Sequence, residues 1–267
     1  MLATEKILRE REFHNEWART VDISDIRVRE SFEACTAIEN RYALQEMGDL
    51  RGKKILDIGC GAGETSVYFA LQGAQVWACD VSDGFLKVAQ ALAESHGVKL
   101  HIVQADAGRM PFRDNHFDFV FGNGILHHAD LLSAGSEISR VLKKNGKALF
   151  IEPLPYNPAI NVYRIMAKAV RSEDEHPLSF RQLQAIRPFF SSYRHREFWL
   201  FSLLIFVYFY VVKRWHPGHV RYWKKVIDEA NAIEKPFAIL QKLDEFTLKF
   251  IPFFRPLCWN TVLVLGK

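Results

Sequence analysis

Cysteine is scarce in this sequence. Its four cysteines stand apart as Cys35, Cys60, Cys79 and Cys258, without a CxxC pair or a neighbouring cysteine or histidine at the spacing of a zinc site. This pattern argues against a disulfide scaffold. It predicts reduced, mostly buried thiols in a cytoplasmic protein that holds no metal.

The sequence also lacks an apolar run long enough to cross a bilayer and a strong excess of one charge. The opening residues, MLATEKILRE, interleave charged and apolar side chains, so we expect no signal peptide there. The apolar run at residues 198–212 would reach about 22 Å as a helix, short of a hydrocarbon core of about 30 Å. A formal net charge of +4 is too small to indicate a nucleic-acid partner.

What the sequence does contain is a glycine-rich turn between an expected strand and an expected helix. Residues 53–63 read KKILDIGCGAG, and residues 64–71 carry apolar side chains at helical spacing. Glycine allows positive φ and close approach of a ligand, while the start of the next helix offers unpaired N–H groups. This order predicts a ligand cradle, with an ordinary tight turn as the alternative.

The residue at position 64 bears on which ligand the cradle takes. Dinucleotide-binding turns usually read GxGxxG, with the third glycine beside the pyrophosphate. Here that place is held by Glu64, whose carboxylate would repel a phosphate. A nicotinamide-dependent oxidoreductase therefore stays a disfavoured alternative.

Expected strands and helices alternate along the chain. The first 50 residues have the pattern of amphipathic helices, and helices are also expected at 84–95 and 133–142. Strands are expected after the cradle at 74–79, 99–104, 117–121 and 148–151, with a turn at 144–146, and later at 193–199 and 258–265. Such alternation predicts βαβ units around a parallel sheet.

The residue that ends each of the first five expected strands is polar. These residues are Asp57, Asp80, Asp106, Asn123 and Glu152. The carboxyl ends of parallel strands meet at one edge of a sheet, where ligands of such folds bind. We therefore expect a binding cleft there.

At this point the sequence, with its DxGxGxG turn and polar strand ends, resembles the class I S-adenosylmethionine (SAM) methyltransferases over roughly residues 40–152. The resemblance implies an α/β fold with a Rossmann-like, doubly wound, mostly parallel seven-stranded sheet. It also implies N-terminal helices and a helical insertion before the last strand. On this basis we divide the chain into an N-terminal helical cap (1–50), a SAM-binding core (51–152) and a region of substrate-side helices, aromatic insertion and final strands of the same domain (153–267).

The resemblance also implies which residues hold SAM. They are Asp57, Gly59, Gly61, Gly63, Asp80, Val81, Asp106, Ala107 and Asn123. Asp57 would lie against the methionine part, Asp80 would accept both ribose hydroxyls and Asp106 would accept from the adenine amino group. Asn123 would bind the cofactor's ammonium group, and the region of Phe85 would border the adenine.

The stretch after the fourth expected strand bears on the methyl acceptor. It reads GNGILHH at residues 122–128, without the [DNS]PP[FWY] sequence of enzymes that methylate amino groups of DNA bases. The LHH stretch resembles the small-molecule group that includes the quinone-biosynthesis methyltransferases. We predict a small or lipid-like acceptor with oxygen as the favoured nucleophile. The alternatives are a carbon atom of a quinone or isoprenoid-type acceptor, or a membrane-associated protein that binds SAM without catalysis.

Three side chains near this stretch are candidates for catalysis. His127 and His128 can take a hydroxyl proton near neutral pH, although a histidine at a helix start is often structural. Glu152 is the other candidate base or substrate anchor.

The substrate-binding candidates come later in the chain. They are Tyr156, Asn157 and His176, the last of which the following proline holds extended. A solvated acidic loop at 173–177 is the alternative for His176.

Two aromatic segments leave alternatives open. Residues 13–17 (FHNEW) either pack against the core or form a lid over the cofactor. Residues 198–212, taken as one fifteen-residue helix, could be a core helix, a wall for an apolar substrate or a patch in the lipid headgroup region. From Arg194 onward the chain has twelve Lys or Arg against six Asp or Glu. Peripheral membrane contact through residues 198–225, at the inner membrane surface, is therefore one alternative.

Overall fold

A computed structural model of the protein describes residues 2–167 and 176–267, which form a seven-stranded sheet flanked by helices. The strands are Lys54–Ile58 (β1), Gln75–Asp80 (β2), Leu100–Gln104 (β3), Phe117–Asn123 (β4), Leu142–Pro153 (β5), Ser192–Phe198 (β6) and Asn260–Gly266 (β7). Their order is β3-β2-β1-β4-β5-β7-β6, and β7 runs antiparallel to both of its neighbours. The predicted fold class is confirmed.

The helices cover both faces of the sheet and the edge at which its parallel strands end. They are Leu2–Ala18 (α1), Glu30–Glu33 (α2), Ile38–Met47 (α3), Glu64–Leu71 (α4), Asp83–Ser95 (α5), Leu131–Val141 (α6), Pro158–Met166 (α7), Phe180–Leu183 (α8), Leu204–Val211 (α9), Tyr222–Asp228 (α10) and Ala230–Phe250 (α11). The predicted acidic loop at 173–177 lies largely outside the described residues.

The central strands are apolar because both of their faces are covered. Ile55 of β1 belongs to one buried cluster, together with the N-terminal helices and the late helices α9 to α11. Leu56, the next residue, belongs to a second buried cluster with α6. Successive side chains of a strand point to opposite faces, so a strand covered on both sides has no polar alternation. Polar residues are thereby confined to the strand ends.

The turn expected at 144–146 lies inside β5. Phe117 of β4 pairs with Leu142, whereas Phe119 pairs with Lys147, so residues 143–146 bulge out of the ladder. Asn145 accommodates the bulge with a φ of 64°. Sequence spacing shows a turn but does not show that the same strand resumes pairing after it.

The expectation of one fifteen-residue helix at 198–212 is wrong. β6 ends at Phe198, Trp199 takes a φ of 68°, and helix α9 begins only at Leu204. The side chain of Asp244 accepts hydrogen bonds from the backbone N–H groups of residues 200–202, which replaces the helical pairing that these groups would otherwise need. In the described part of the chain, no helix combines the length and apolarity needed to cross a bilayer.

Candidate functional site

The ends of the parallel strands open onto one cavity of about 540 Å³. Its lining includes all but one of the residues predicted to bind the cofactor: Asp57, Gly59, Gly61, Asp80, Val81, Asp106, Ala107 and Asn123. Phe85, expected near the adenine, also lines it. The convergence follows from the topology, because parallel strands end at the same edge.

The glycine turn brings its backbone to the cavity and its last glycine to a helix contact. Gly59, Gly61 and Gly63 have φ values of 67°, 52° and 88°. A Cβ on Gly59 would lie 2.9 Å from side-chain atoms of Ile125. Gly63 does not line the cavity, and a Cβ there would lie 2.6 Å from the Cβ of Ala89. Gly63 allows α4 and α5 to approach closely, and its contact with the cofactor stays a prediction.

Asp57 and Asp80 are buried carboxyl groups at the tips of β1 and β2. Oδ2 of Asp57 accepts a hydrogen bond of 2.6 Å from the hydroxyl of Ser66. Burial raises the pKa of Asp57 to about 7, and the nearby charges of Glu64 and Asp80 act in the same direction. Two buried carboxyl groups that line the cavity thus lie near enough for the charge of Asp80 to raise the pKa of Asp57.

Both oxygens of Asp80 are oriented by the backbone. Oδ2 accepts from the N–H of Gly61 at 3.0 Å, and Oδ1 accepts from the N–H of Ser82 at 2.9 Å. Burial raises the pKa of Asp80. A carboxylate oxygen can accept more than one hydrogen bond, so each oxygen keeps a free acceptor position toward the cavity.

The charges around the cavity favour a cationic ligand. Among the described residues, eight carboxylates line it against three Lys or Arg side chains. Glu64, at the start of α4, is one of the carboxylates and stands where a pyrophosphate would rest. The lining therefore suits a sulfonium or ammonium compound better than a phosphate.

Glu152 serves the turn after β4 and does not reach the cavity. The residue is fully buried; Oε1 accepts from the N–H groups of Ile125 and Leu126 at 3.0 and 2.7 Å, and Oε2 lies 2.7 Å from Nδ1 of His127. The role of Glu152 as a base or substrate anchor stays a prediction; in this structure its carboxylate is bonded within the protein. His127 itself lines the cavity.

His128 meets two residues of α1 that the sequence analysis did not select. Its Nδ1 lies 3.1 Å from Oε1 of Glu10, whose Oε2 lies 3.4 Å from Nε2 of His14. Burial alone would raise the pKa of Glu10, but its hydrogen bonds and charge interactions with the two histidines hold that pKa well below its usual range. Glu10, His14 and His128 each bring an atom that could bind a metal ion within 4.8 Å of the others, although the sequence analysis expected no metal site.

The three predicted substrate residues lie outside the cavity lining. The hydroxyl of Tyr156 accepts from the N–H of Phe180 at 3.0 Å, and Asn157 caps the start of α7 by accepting from the N–H of Ala159 at 2.9 Å. His176 is exposed. Tyr156 and Asn157 take part in turn formation and capping, and a substrate role for the three residues stays a prediction.

Helix α1 covers the cavity and is fastened to the start of α5. Phe13, His14 and Trp17 line the cavity, which favours the lid alternative for residues 13–17. Between them, Oδ1 of Asn15 accepts from the hydroxyl of Ser82 at 2.6 Å and from the N–H of Gly84 at 2.9 Å. We call these contacts the Asn15 latch.

The end of β6, helix α10 and the start of β7 supply an aromatic wall on the same cavity. Trp199, Trp223 and Trp259 line it together with Trp17, so four of the six tryptophans of the chain meet there. The guanidinium of Arg221 lies 3.9 Å from the centre of the Trp17 ring and joins the wall to the lid. The cavity lining therefore contains aromatic side chains as well as acidic ones.

A buried acid accompanies this wall. Glu39 of α3 lines the cavity and accepts a hydrogen bond of 2.7 Å from the side chain of Asn260. Burial raises the pKa of Glu39. Neither residue was selected from the sequence, since each stands in an ordinary helix or strand pattern.

Comparison with known proteins supports the predicted resemblance. Residues 56–150 match the family described as "Methyltransferase domain". A ubiquinone/menaquinone biosynthesis C-methyltransferase from Cupriavidus necator is 34% identical over 117 residues, which cover 42% of this chain and 47% of that protein. A sterol 24-C-methyltransferase from Gibberella zeae is 34% identical over 134 residues, which cover 49% of this chain and 35% of that protein. The chain thus spans less than half the length of these relatives.

Solved structures extend the likeness of fold to most of the chain. The YcgJ protein from Bacillus subtilis has a TM-score of 0.54 at 21% identity and covers 85% of this chain and 96% of its own. A chain from the complex of the Haloferax volcanii Trm112 activator with a methyltransferase has a TM-score of 0.58 at 18% identity, with coverages of 95% and 96%. At these identities the likeness concerns the fold. The predicted class I methyltransferase fold is confirmed.

Proposed function

We propose that this protein is a SAM-dependent methyltransferase that methylates a carbon atom of a quinone or isoprenoid-type acceptor. The observation that carries the proposal is the composition of the single cavity at the strand ends. Its lining combines Asp57, Asp80 and the glycine turn with four tryptophans. This combination suits a cationic nucleoside together with an apolar acceptor.

The polar residues of this lining fit SAM on their own geometry. Asp80 has oriented oxygens that can accept two vicinal hydroxyls, and Asn123 and Asp106 present amide and carboxylate groups to the same space. Asp57 gains a cationic partner when a sulfonium compound binds, which relieves the cost of its burial. When bound, SAM supplies an electrophilic methyl group.

Carbon is preferred to oxygen as the nucleophile because of the relatives. The sequence analysis favoured oxygen, but the quinone-biosynthesis and sterol relatives are described as C-methyltransferases. The tryptophan wall supports an apolar acceptor and does not distinguish between the two atoms. We therefore adopt the alternative of the sequence analysis.

In the proposed mechanism, His128 takes the proton that a hydroxylated acceptor ring must lose. Oε1 of Glu10 lies 3.1 Å from Nδ1 of His128, and a proton on Nδ1 would face this carboxylate, which would leave Nε2 as the proton acceptor. Glu10 acts as a positioning residue. The walls contributed by α1 and α10 exclude water and align the acceptor, which supplies much of the expected rate gain.

Calorimetry tests the cofactor. Wild type should bind both SAM and its demethylated product, and Asp80→Ala should weaken both by about 100-fold, the size expected for losing hydrogen bonds to a buried charge. Asp49→Ala, a change at an exposed aspartate, is the control. Binding of NADH in place of SAM would contradict the proposal.

A second assay tests the acceptor. Wild type is incubated with methyl-labelled SAM and either a prenylated hydroquinone lacking a ring methyl group or a prenylated phenol that can be methylated only on oxygen. Mass spectrometry should locate the label on a ring carbon of the first compound. Label on oxygen alone would replace the carbon assignment, and SAM binding without transfer to any extracted lipid would favour a non-catalytic role.

A further inference from the structure

Helix α11 carries an apolar stripe on the surface of the molecule. Its residues are Ile239, Leu243, Phe246 and Phe250, spaced by four, three and four positions, which places them on one line along a helix. Ile239 is 70% exposed, Phe246 and Phe250 are each 61% exposed, and Phe253 just beyond the helix is 83% exposed. The rings of Phe246 and Phe250 contact each other, with centres 4.8 Å apart and planes tilted by 51°.

The opposite face of α11 is already occupied by the core. Ile233, Phe237, Asp244 and Thr247 are buried there. Packing within the protein therefore explains one face of the helix and leaves the stripe without a covering partner among the described residues. Exposed aromatic and branched side chains in such a row mark an interaction surface.

A row of lysines runs beside the stripe. Lys235, Lys242 and Lys249 recur every seven residues, so they follow the stripe along one edge at about 60° around the helix. Ion pairs for these three side chains are absent among the described residues. Lys249 instead lies with its ammonium 5.4 Å from the centre of the Phe250 ring.

We infer that α11 and the following turn dock this protein onto a bilayer that contains anionic phospholipid. The phenylalanines would enter the boundary between headgroups and acyl chains, while the lysine row meets the phosphates. Long lysine side chains can lie along an apolar surface while their charge stays at the headgroup level. The position of the lysine row beside the apolar stripe suits this arrangement. Contacts between proteins are instead depleted in lysine.

This surface differs from the one expected from the sequence. Membrane contact through residues 198–225 was one alternative of the sequence analysis, and α9 does expose Leu204, Val207 and Val211. However, Lys213 at the end of α9 is paired with Glu229 at 2.9 Å, so it is not available to lipid in the same way. The three lysines of α11 are available to lipid, and α11 is longer than α9.

Vesicle sedimentation tests the inference without any methyl acceptor. Wild type should bind vesicles of phosphatidylcholine with 30% phosphatidylglycerol and lose most of that binding with pure phosphatidylcholine or at high salt. F250S/F253S should bind at least about tenfold more weakly to the anionic vesicles. K242E/K249E should lose the preference for anionic lipid.

Matched control variants remove the same side-chain types elsewhere. Leu132 is an exposed apolar residue and Lys144 an exposed lysine, both outside α11, so L132S and K144E should bind vesicles as wild type does. SAM binding by each variant reports that it is folded. Hydrogen exchange of residues 239–253 should slow in the presence of anionic vesicles.

Several outcomes would overturn the inference. Wild type that fails to sediment with anionic vesicles is one, and unchanged binding by F250S/F253S is another. A dimer without lipid that F246S/F250S converts to a monomer would assign the surface to self-association. Because lipid binding is measured apart from methyl transfer, it can fail while the proposed function stands, and the reverse also holds.

Discussion

Nδ1 of His127 lies 2.7 Å from Oε2 of Glu152, and both side chains are buried. The carboxylate accepts, so the imidazole donates from Nδ1. The other oxygen of Glu152 accepts from two backbone N–H groups, those of Ile125 and Leu126. Glu152 therefore ties the end of β5 to the turn after β4, and this turn carries both candidate histidines.

We expect Glu152→Gln to lower the free energy of unfolding by about 2–3 kcal/mol, because the amide places donors against groups that need an acceptor. Thermal unfolding measures the loss, and methyl transfer should fall with it. Glu94→Gln, at an exposed glutamate of α5, is the control. Unchanged stability of Glu152→Gln would show that the turn holds without this carboxylate.

The affinity for SAM should depend on the protonation of Asp57. The pKa of this carboxyl group is about 7 in the free protein, and a bound cation lowers it, so binding at pH 6 must release a proton. Affinity should weaken by up to about tenfold per pH unit below pH 7 and level off above it. Calorimetry at pH 6 in buffers of different ionisation enthalpy counts the released protons, and Asp57→Asn should abolish the release. A constant affinity from pH 6 to pH 8 would contradict this expectation.

The same group should cost the free protein stability at high pH. Its folded pKa, about 7, is above the ordinary value of 3.8, so the protonated form favours folding and stability falls as pH rises from about 4 to 7. We expect Asp57→Asn to raise the free energy of unfolding at pH 8, by at most about 4 kcal/mol at 1.4 kcal/mol per pKa unit. Denaturant unfolding at pH 4 and pH 8 measures this; equal effects at both values would assign the change to packing.

Replacing Glu10 should impair turnover more than SAM binding. The carboxylate of Glu10, 3.1 Å from Nδ1 of His128, favours a proton on that nitrogen, and we expect Glu10→Gln to lower kcat by about 10- to 100-fold. Glu16→Gln changes an exposed glutamate of the same helix and should have no effect. Glu10→Gln with normal kcat would remove Glu10 from the mechanism, whereas an equal loss in SAM affinity would indicate a structural role.

Opening the Asn15 latch should loosen α1 while the sheet stays folded. Asn15→Ala removes hydrogen bonds with Ser82, Asp83 and Gly84, each worth about 1 kcal/mol. Hydrogen exchange of residues 7–18 should become at least tenfold faster, and SAM affinity should fall. Arg19→Ala, just beyond the helix, is the control.

Gly84→Ala approaches the same contact by crowding it. A Cβ at Gly84 would lie 3.0 Å from Oδ1 of Asn15 and 3.1 Å from the Cβ of Ala18. The variant should therefore also speed exchange in α1. If neither variant alters exchange there, α1 is held by its aromatic contacts and the latch is incidental.

The sheet could be predicted from the sequence because its two signals, apolar strands and polar strand ends, are both local. Each strand is a short apolar run, and each cofactor candidate stands at the end of one, as Asp57 and Asp80 do. Parallel topology then brings these ends together without further information. Gly63 packs against Ala89 of α5, which the motif did not indicate, because a glycine can serve a helix contact as well as a ligand.

The residues around the proposed acceptor site could not be predicted in this way. Glu10 meets His128 only through the packing of α1 on the cavity, and Glu39 meets Asn260 across most of the chain. The one local signal was the four-residue spacing of Glu10 and His14, which places them on one face of a helix. The short length of α9 likewise depends on Asp244, forty residues later.

The insertion between β6 and β7 leaves and re-enters the sheet at a single point. The N–H of Trp259 donates to the carbonyl groups of Phe198 and Trp199, so the two ends of the segment are hydrogen-bonded to each other. A segment joined this way can be exchanged between proteins, or diversified during evolution, while the strands beneath keep their pairing. The proposed enzyme can therefore change its apolar acceptor during evolution while the residues that bind the nucleoside stay the same.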